Sequence, residues 1–196
     1  MVNPIRIETP LDEETIIKLK IGDKVLLNGI VYTGRDQAHK RIVDELEKAA
    51  RENHKPKLPF VLEGQVIYYA GPAPCRPGMV IGPAGPTTSG RMDPYTPILL
   101  KRGLKGTIGK GRRSKDTIEA MRKYKAVYFV AVGGAAVLIS KRIKRVETVA
   151  YEDLGPEAIY RLQVEDFPLI VANDVYGNDL FDEGIKKYRK VTQQGE

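Results

Sequence analysis

The stretch Lys24-Val25-Leu26-Leu27-Asn28-Gly29-Ile30-Val31-Tyr32-Thr33-Gly34-Arg35-Asp36 changes its period part-way along. Up to Thr33 it is rich in β-branched residues and reads as a strand, with Asn28-Gly29 marking a bulge or a turn. From Asp36 the apolar residues Ala38, Ile42, Val43, Leu46 and Ala49 recur at helical spacing, and Lys40, Arg41, Glu45, Glu47 and Lys48 take the other faces. A helix is therefore expected to about Asn53. A strand that passes through one glycine into an amphipathic helix is the building unit of an α/β chain.

Working outward, Thr9-Pro10-Leu11-Asp12-Glu13-Glu14 reads as a helix start, with Thr9 as N-cap, proline at the first helical position and acids in the first turn, running through Leu19. Downstream, strands are expected at 66–70, 106–109, 126–132, 146–151 and 169–171. Helices are expected at 115–124, capped by Ser114, and near 135–143, with a broken helical course from Thr87 to Gly103 where Pro94 and Pro97 interrupt. Asn173-Asp174 and 176–179 read as turns. Two glycine-proline clusters, 71–78 and 82–86, lie between strand signals and predict a stiff, shaped loop. Strands and helices alternate, so the class is α/β, with an extra hairpin-like element early in the chain, and 196 residues suit one domain, 1–196.

Composition narrows the function classes. With 42% hydrophobic and 29% charged residues the chain is neither disordered nor fibrous. It lacks an apolar run of roughly 18 to 20 residues and a signal-like N-terminus, which points to a cytoplasmic address and no membrane contact. One cysteine, Cys75, excludes an internal disulfide, and with only His39 and His54 the chain alone cannot build an ordinary Cys/His metal site. The excess of 32 Lys and Arg over 25 Asp and Glu, a net +7, suits nucleic acid, an acidic partner or an anionic substrate.

Placement of the cations separates these. Thr33-Gly34-Arg35-Asp36, Thr87-Thr88-Ser89-Gly90-Arg91 and Gly109-Lys110-Gly111-Arg112-Arg113-Ser114 each set glycine, a hydroxyl and a cation at a strand-to-helix junction. Helix N-termini there expose unpaired N–H groups, and such junctions gather at the carboxyl edge of an α/β sheet. Any one of them is as well explained by a cap and a solvated charge; three together suggest an anion pocket. A phosphate-binding P-loop fails, since Leu104 stands where its first glycine belongs and Gly111 where Ser or Thr must follow Lys110; the dinucleotide glycine pattern fails beyond Gly111. Cys75 reads as an incidental thiol, His39 as a helix-surface residue, and Gly133-Gly134-Ala135-Ala136 as a close-packing helix start. The runs Lys141-Arg142-Ile143-Lys144-Arg145 and Lys186-Lys187-Tyr188-Arg189-Lys190 read as solvated faces.

The stretch 82–93, Gly-Pro-Ala-Gly-Pro-Thr-Thr-Ser-Gly-Arg-Met-Asp, closely resembles the β subunit, or C-terminal domain, of the class I, iron-sulfur-dependent fumarate hydratases and the related L-tartrate dehydratases. Thr9-Pro10-Leu11, Tyr32-Thr33-Gly34-Arg35-Asp36, Gly71-Pro72, Gly109-Lys110-Gly111, Gly133-Gly134-Ala135-Ala136, 164–168 and Gly177-Asn178-Asp179 continue the match in order. The resemblance implies a swivelling β/β/α domain and reversible hydration of fumarate to (S)-malate, or dehydration of L-tartrate. It implies a 4Fe-4S cluster ligated by a partner α subunit, a C4 dicarboxylate substrate and a heterotetramer or dimer of heterodimers. Thr87 resembles the general base, and Arg35, Arg91 and Lys110 the carboxylate-binding cations, with Thr88 beside them at the substrate. Cys75-Arg76-Pro77 departs from the more acidic segment of the family. The competing reading is a basic nucleic-acid-binding module, against which stands the lack of interleaved aromatics around the cations.

Overall fold

The computed structural model describes residues 3–75, 77–131 and 136–189. In chain order the elements are β1 (Ile5–Glu8), α1 (Glu13–Ile16), β2 (Lys24–Thr33), α2 (Asp36–Arg51), β3 (Val66–Tyr68), α3 (Thr96–Lys101), β4 (Gly106–Gly109), α4 (Lys115–Tyr124), β5 (Val127–Val130), α5 (Ala136–Ser140), β6 (Ile143–Ala150), β7 (Ile159–Asn173) and α6 (Leu180–Tyr188). Two 3₁₀ turns, Ser89–Met92 and Glu152–Glu157, lie between them. The α/β class holds, and the sheet does more than alternate with helices: it closes.

Strands β2, β3, β4 and β5 run parallel as neighbours, and β7 runs antiparallel to both ends of that row, pairing β2 from Ile170 to Arg161 and β5 from Asn173 to Ile170. The result is a small barrel, with β1 added beside the first half of β2 and β6 beside the first half of β7. Inward-facing residues alternate along each strand, as the two-residue period requires. Val25, Leu27, Val31, Val66, Tyr68, Ile108, Val127, Phe129, Leu162, Val164, Phe167 and Leu169 fill the interior. A second apolar layer lies outside, where Ala38, Ile42, Val43 and Leu46 of α2 pack with Ile67, Tyr69, Met92, Leu99, Leu104, Met121 and Tyr128. Each fully buried side chain of this size contributes about 1.5–3 kcal/mol.

Helices α2 and α4 occupy the expected spans; Ser114 caps α4, accepting the N–H of Thr117 at 3.2 Å. At the N-terminus the expectation is corrected. Thr9 is not a helix cap: its hydroxyl donates to Ile30 O at 2.7 Å and accepts from Ile30 N at 2.6 Å. Gly29 leaves room for this crossing, since a Cβ there would collide with the Thr9 hydroxyl and carbonyl. Asp12 caps the helix instead, accepting from Thr15 N at 2.7 Å, and the helix is one turn long. The irregularity expected at Asn28-Gly29 is present as a register shift opposite Asp166, whose φ is +47°.

The expected strand 169–171 is the tail of the much longer β7. Pro168 lies between the part of β7 paired with β6, up to Val164, and the part paired with β5, from Ile170, so its missing N–H interrupts neither ladder. Helix α6 follows the turn at 176–179, with Asp179 accepting from Phe181 N at 2.7 Å as its cap. Lys141, Arg142, Lys144, Arg145 and the described basic residues of the tail are exposed, as expected of solvated faces. Arg76, Gly133-Gly134-Ala135, the end of the strand expected at 126–132, and Lys190 lie outside the described residues.

Candidate active site

The carboxyl ends of β2, β3 and β4 meet at one rim of the barrel. There β3 and β4 diverge: Tyr69 N still donates to Ile108 O at 2.8 Å, and beyond it a returning segment enters the gap. Thr87 N donates to Tyr69 O at 2.7 Å, Lys110 N to Thr87 O at 3.1 Å, and Ser89 N to Lys110 O at 2.9 Å. Residues 87–89 thus act as a short wedge strand, their backbone groups satisfied by the strands on either side. The two glycine-proline clusters are the limbs of the loop that delivers this wedge. Ala73 N donates to Pro83 O at 3.0 Å, Ala70 pairs with Pro86, and the buried Tyr68 hydroxyl donates to Ala84 O at 2.7 Å. Gly82 is required where the limbs touch, because a Cβ would collide with the carbonyls of Ala73 and Pro74.

The three expected junctions do converge here. Thr87 is half-buried and its hydroxyl donates to Tyr69 O at 3.1 Å; Thr88 and Lys110 are exposed side by side on paired backbone. No group among the described residues pairs with the Lys110 ammonium. Arg35 stands at the N-cap position of α2 and meets Glu157, Nη2 to Oε1, at 3.1 Å. Arg91 holds Asp36, the first residue of α2, through Nε to Oδ1 at 3.0 Å and Nη2 to Oδ2 at 2.8 Å. One part of the expectation is corrected: only Arg35 sits at the start of a long helix. Thr87 to Arg91 leads into a four-residue 3₁₀ turn, and Lys110 lies at a strand end, with Gly111, Arg112 and Arg113 between it and the cap Ser114.

Beneath the rim lies a polar network that sequence reasoning missed. The Arg113 side chain is fully buried. Its Nε donates to Asp93 Oδ1 at 2.6 Å, Nη1 to the Tyr69 hydroxyl and Thr107 Oγ1 at 3.2 Å each, and Nη2 to Thr96 Oγ1 at 2.8 Å. Thr96 donates onward to Met92 O at 2.8 Å, so the Tyr69 hydroxyl donates to Thr96. Tyr128 donates to Gly111 O at 2.8 Å and accepts from Ser89, and burial pushes its pKa up, so it stays a donor. Asp93 Oδ2 accepts Ser114 N at 2.7 Å, tying the turn that carries Arg91 to the start of α4. Asp93 and Arg113 are separated in sequence, and the signal that joins them is tertiary.

His39 is corrected from a helix-surface residue to a buried one, 1% exposed. Its ring packs edge-on against Tyr69, and Nδ1 donates to Arg35 O at 2.9 Å, so the ring holds the backbone from which Arg35 projects. Burial lowers its pKa to about 4, leaving the ring neutral. A largely apolar cleft of about 350 Å³, lined by residues of both loop limbs with Val146, Gly155, Pro156 and Tyr160, flanks the rim without reaching Thr87 or Lys110. Cys75, whose Sγ approaches Met79 O at 2.9 Å, is exposed on this loop. Among the described residues no three His, Cys, Asp or Glu side chains gather as metal ligands. One cysteine and no such cluster do not fit an iron-sulfur centre.

Fold and rim together define an α/β barrel domain whose strand ends carry a hydroxyl and several cations on one rim. The chain belongs to the family described as Fumarase C-terminus, which matches residues 1–184. It is 39% identical over 190 residues to a Methanocaldococcus jannaschii protein provisionally named L(+)-tartrate dehydratase subunit beta, covering 93% of this chain and 94% of that one. It is 40% identical over 169 residues to the anaerobic class I fumarate hydratase of Escherichia coli, and 36% over 185 residues to fumarate hydratase 2 of Leishmania major. These alignments cover 85% and 92% of this chain but only 30% and 32% of the relatives, so the chain corresponds to about a third of each fumarate hydratase.

Proposed function

We propose that the chain is the β subunit of a class I hydro-lyase that interconverts fumarate and (S)-malate in a site completed by a cluster-bearing α subunit. The observation that carries this reading is the wedge 87–89, which brings Thr87, Thr88 and Lys110 onto one rim with Arg35 and Arg91. A dicarboxylate needs both ends held, and guanidinium forks and an ammonium at one strand edge are suited to that task. When a proton leaves the carbon beside a carboxylate, charge grows on the carboxylate oxygens, so cations placed there stabilise the transition state more than the ground state.

Thr87 is the proposed base and Thr88 a substrate contact. A threonine hydroxyl is a weak base, and Thr87 acts as one only where neighbouring cations favour its alkoxide. Lys110, whose N–H donates to Thr87 O, is the rim cation whose backbone lies beside Thr87. In this reading the 4Fe-4S cluster is held by the partner, which is supported by the chain's single cysteine and by the lack, among the described residues, of a His, Cys, Asp and Glu cluster. The chain, 1–196, acts as one swivelling domain that closes against that partner in the cytoplasm, in a dimer of heterodimers. Nucleic acid is not a partner in this reading, because the rim cations lack the interleaved aromatic side chains on which bases stack.

A second reading, the β subunit of an L-tartrate dehydratase, is favoured by one specific observation: the relative matched over 94% of its own length carries that name. The test is co-expression with the partner subunit, anaerobic reconstitution with iron and sulfide, and parallel assays of fumarate loss and tartrate dehydration. Faster turnover of fumarate supports the first reading and faster turnover of tartrate the second; a reconstituted complex that turns over neither overturns both.

A further inference from the structure

Arg91 stands on the four-residue 3₁₀ turn Ser89–Met92, with its side chain 54% exposed. A long, exposed side chain on so short a turn has many rotamers open to it, yet this one is fixed from two directions. Its backbone is held next door, where Asp93 accepts Arg113 Nε on one oxygen at 2.6 Å and Ser114 N on the other at 2.7 Å. Its guanidinium is held by Asp36, which accepts Nε on Oδ1 at 3.0 Å and Nη2 on Oδ2 at 2.8 Å. Asp36 is a stiff anchor. It is the first residue of the 16-residue α2, where the helix dipole favours a carboxylate, and Ala38, Ile42, Val43 and Leu46 bury that helix in the outer apolar layer. The contact uses only part of the guanidinium: Nε and one N–H of Nη2 make up its side edge, which Asp36 fills. The end edge, formed by Nη1 and the other N–H of Nη2, is also a fork, and it has no hydrogen-bond partner among the described residues.

We infer that Asp36 is a positioning residue: it holds Arg91 by the side edge and leaves the end edge, in a fixed orientation, for a ligand carboxylate. The inference rests on the function proposed above, which makes Arg91 a substrate-binding residue. Asp36 and the ligand take different edges of one guanidinium, so neither has to displace the other. Ordering a mobile arginine on binding lowers affinity, and a guanidinium held in advance has already lost that freedom. Asp36 also sets a negative charge across the guanidinium from the ligand. At a water-exposed side chain that repulsion is screened, and the cation lies between the two carboxylates, so the ordering effect is the larger.

The test is calorimetric binding of succinate, an unreactive four-carbon diacid, to the complex of this chain with its partner, run as a double-mutant cycle on Asp36 and Arg91. Asp36→Asn keeps the size of the side chain and loses the two-point acceptor; it is expected to weaken succinate about three- to tenfold. Arg91→Ala is expected to weaken it more, and Asp36→Asn added to Arg91→Ala to change nothing further, because Asp36 acts through Arg91. A loss that persists in the Arg91→Ala background overturns the proposal in favour of a purely structural role at the start of α2. Unchanged binding in Asp36→Asn also overturns it, and tighter binding overturns it by making Asp36 a competitor for Arg91. Binding is read apart from turnover. A complex that turns over neither fumarate nor tartrate yet shows the coupling retires the proposed reaction and keeps the positioning role. Succinate that binds Arg91→Ala as tightly as wild type, or does not bind wild type at all, overturns both the inference and the substrate-binding role of Arg91.

Discussion

Arg113 and the rim cations belong to the same end of the barrel, and the fold treats them in opposite ways. Arg113 is fully buried, spends its Nε, Nη1 and Nη2 on Asp93, Tyr69, Thr107 and Thr96, and lies within 5.3 Å of the ring centres of Tyr69 and Tyr128. Arg35 leaves its buried Nε unspent, and Lys110 is exposed. A buried charge is tolerated when its partners are complete, whereas Arg35 Nε, buried without a partner, and the exposed Lys110 ammonium keep hydrogen-bonding capacity unspent. The lower cation builds the rim, and the upper ones line it.

Replacing rim and foundation separately should break the comparison if it is wrong. The largest effect is expected for Thr87→Val in the reconstituted complex, a loss of about 10²–10⁴-fold in kcat with the urea midpoint unchanged. Unfolding in place of that loss would move Thr87 from rim to foundation. Arg113→Met should do the reverse, lowering stability by about 3–5 kcal/mol in urea because Asp93 is left as a largely covered carboxylate without its cation. Lys110→Ala should leave the same midpoint unmoved, and equal destabilisation by the two would erase the distinction.

His39 sharpens the comparison through pH. Its pKa falls from 6.5 to about 4 on folding, because burial disfavours the charged ring. The unfolded chain then binds a proton that the folded chain refuses, so the contribution is fully present above about pH 6.5 and is lost as pH falls towards 4. Urea unfolding across that window should show about 3 kcal/mol of lost stability, a slope that His39→Phe removes. The smallest effect is expected at a helix cap away from the rim chemistry. Ser114→Ala should cost about 1 kcal/mol of stability and leave kcat unchanged; a large loss of activity would tie α4 more closely to the rim than the Asp93–Ser114 bond implies.

What was legible in the sequence followed the range of the interactions involved. Helices α2 and α4 and the cap at Ser114 are set by residues a few positions apart, and their spans were readable from period and capping chemistry. Thr9 shows where that logic fails: the same threonine-proline start that caps a helix in isolation is taken up by a crossing to Ile30. The length of β7 and the α6 cap at Asp179 were missed, the former because a charged residue and a proline at 166 and 168 break the alternation that marks a strand. His39 occupies a helix position next to polar neighbours, and its burial depends on Tyr69 arriving from β3.

The sequence by itself determined the α/β alternation, the local starts and stops of the main helices, the small set of glycine-flanked cations and hydroxyls, and the family. Only the tertiary structure decided that the sheet closes through β7, that residues 87–89 wedge between β3 and β4, and which cation becomes foundation and which remains at the rim. The physical reason is that periodicity and capping act over a few residues, whereas strand closure, burial and the partner of each charge depend on segments as far apart as Arg35 and Glu157 coming together.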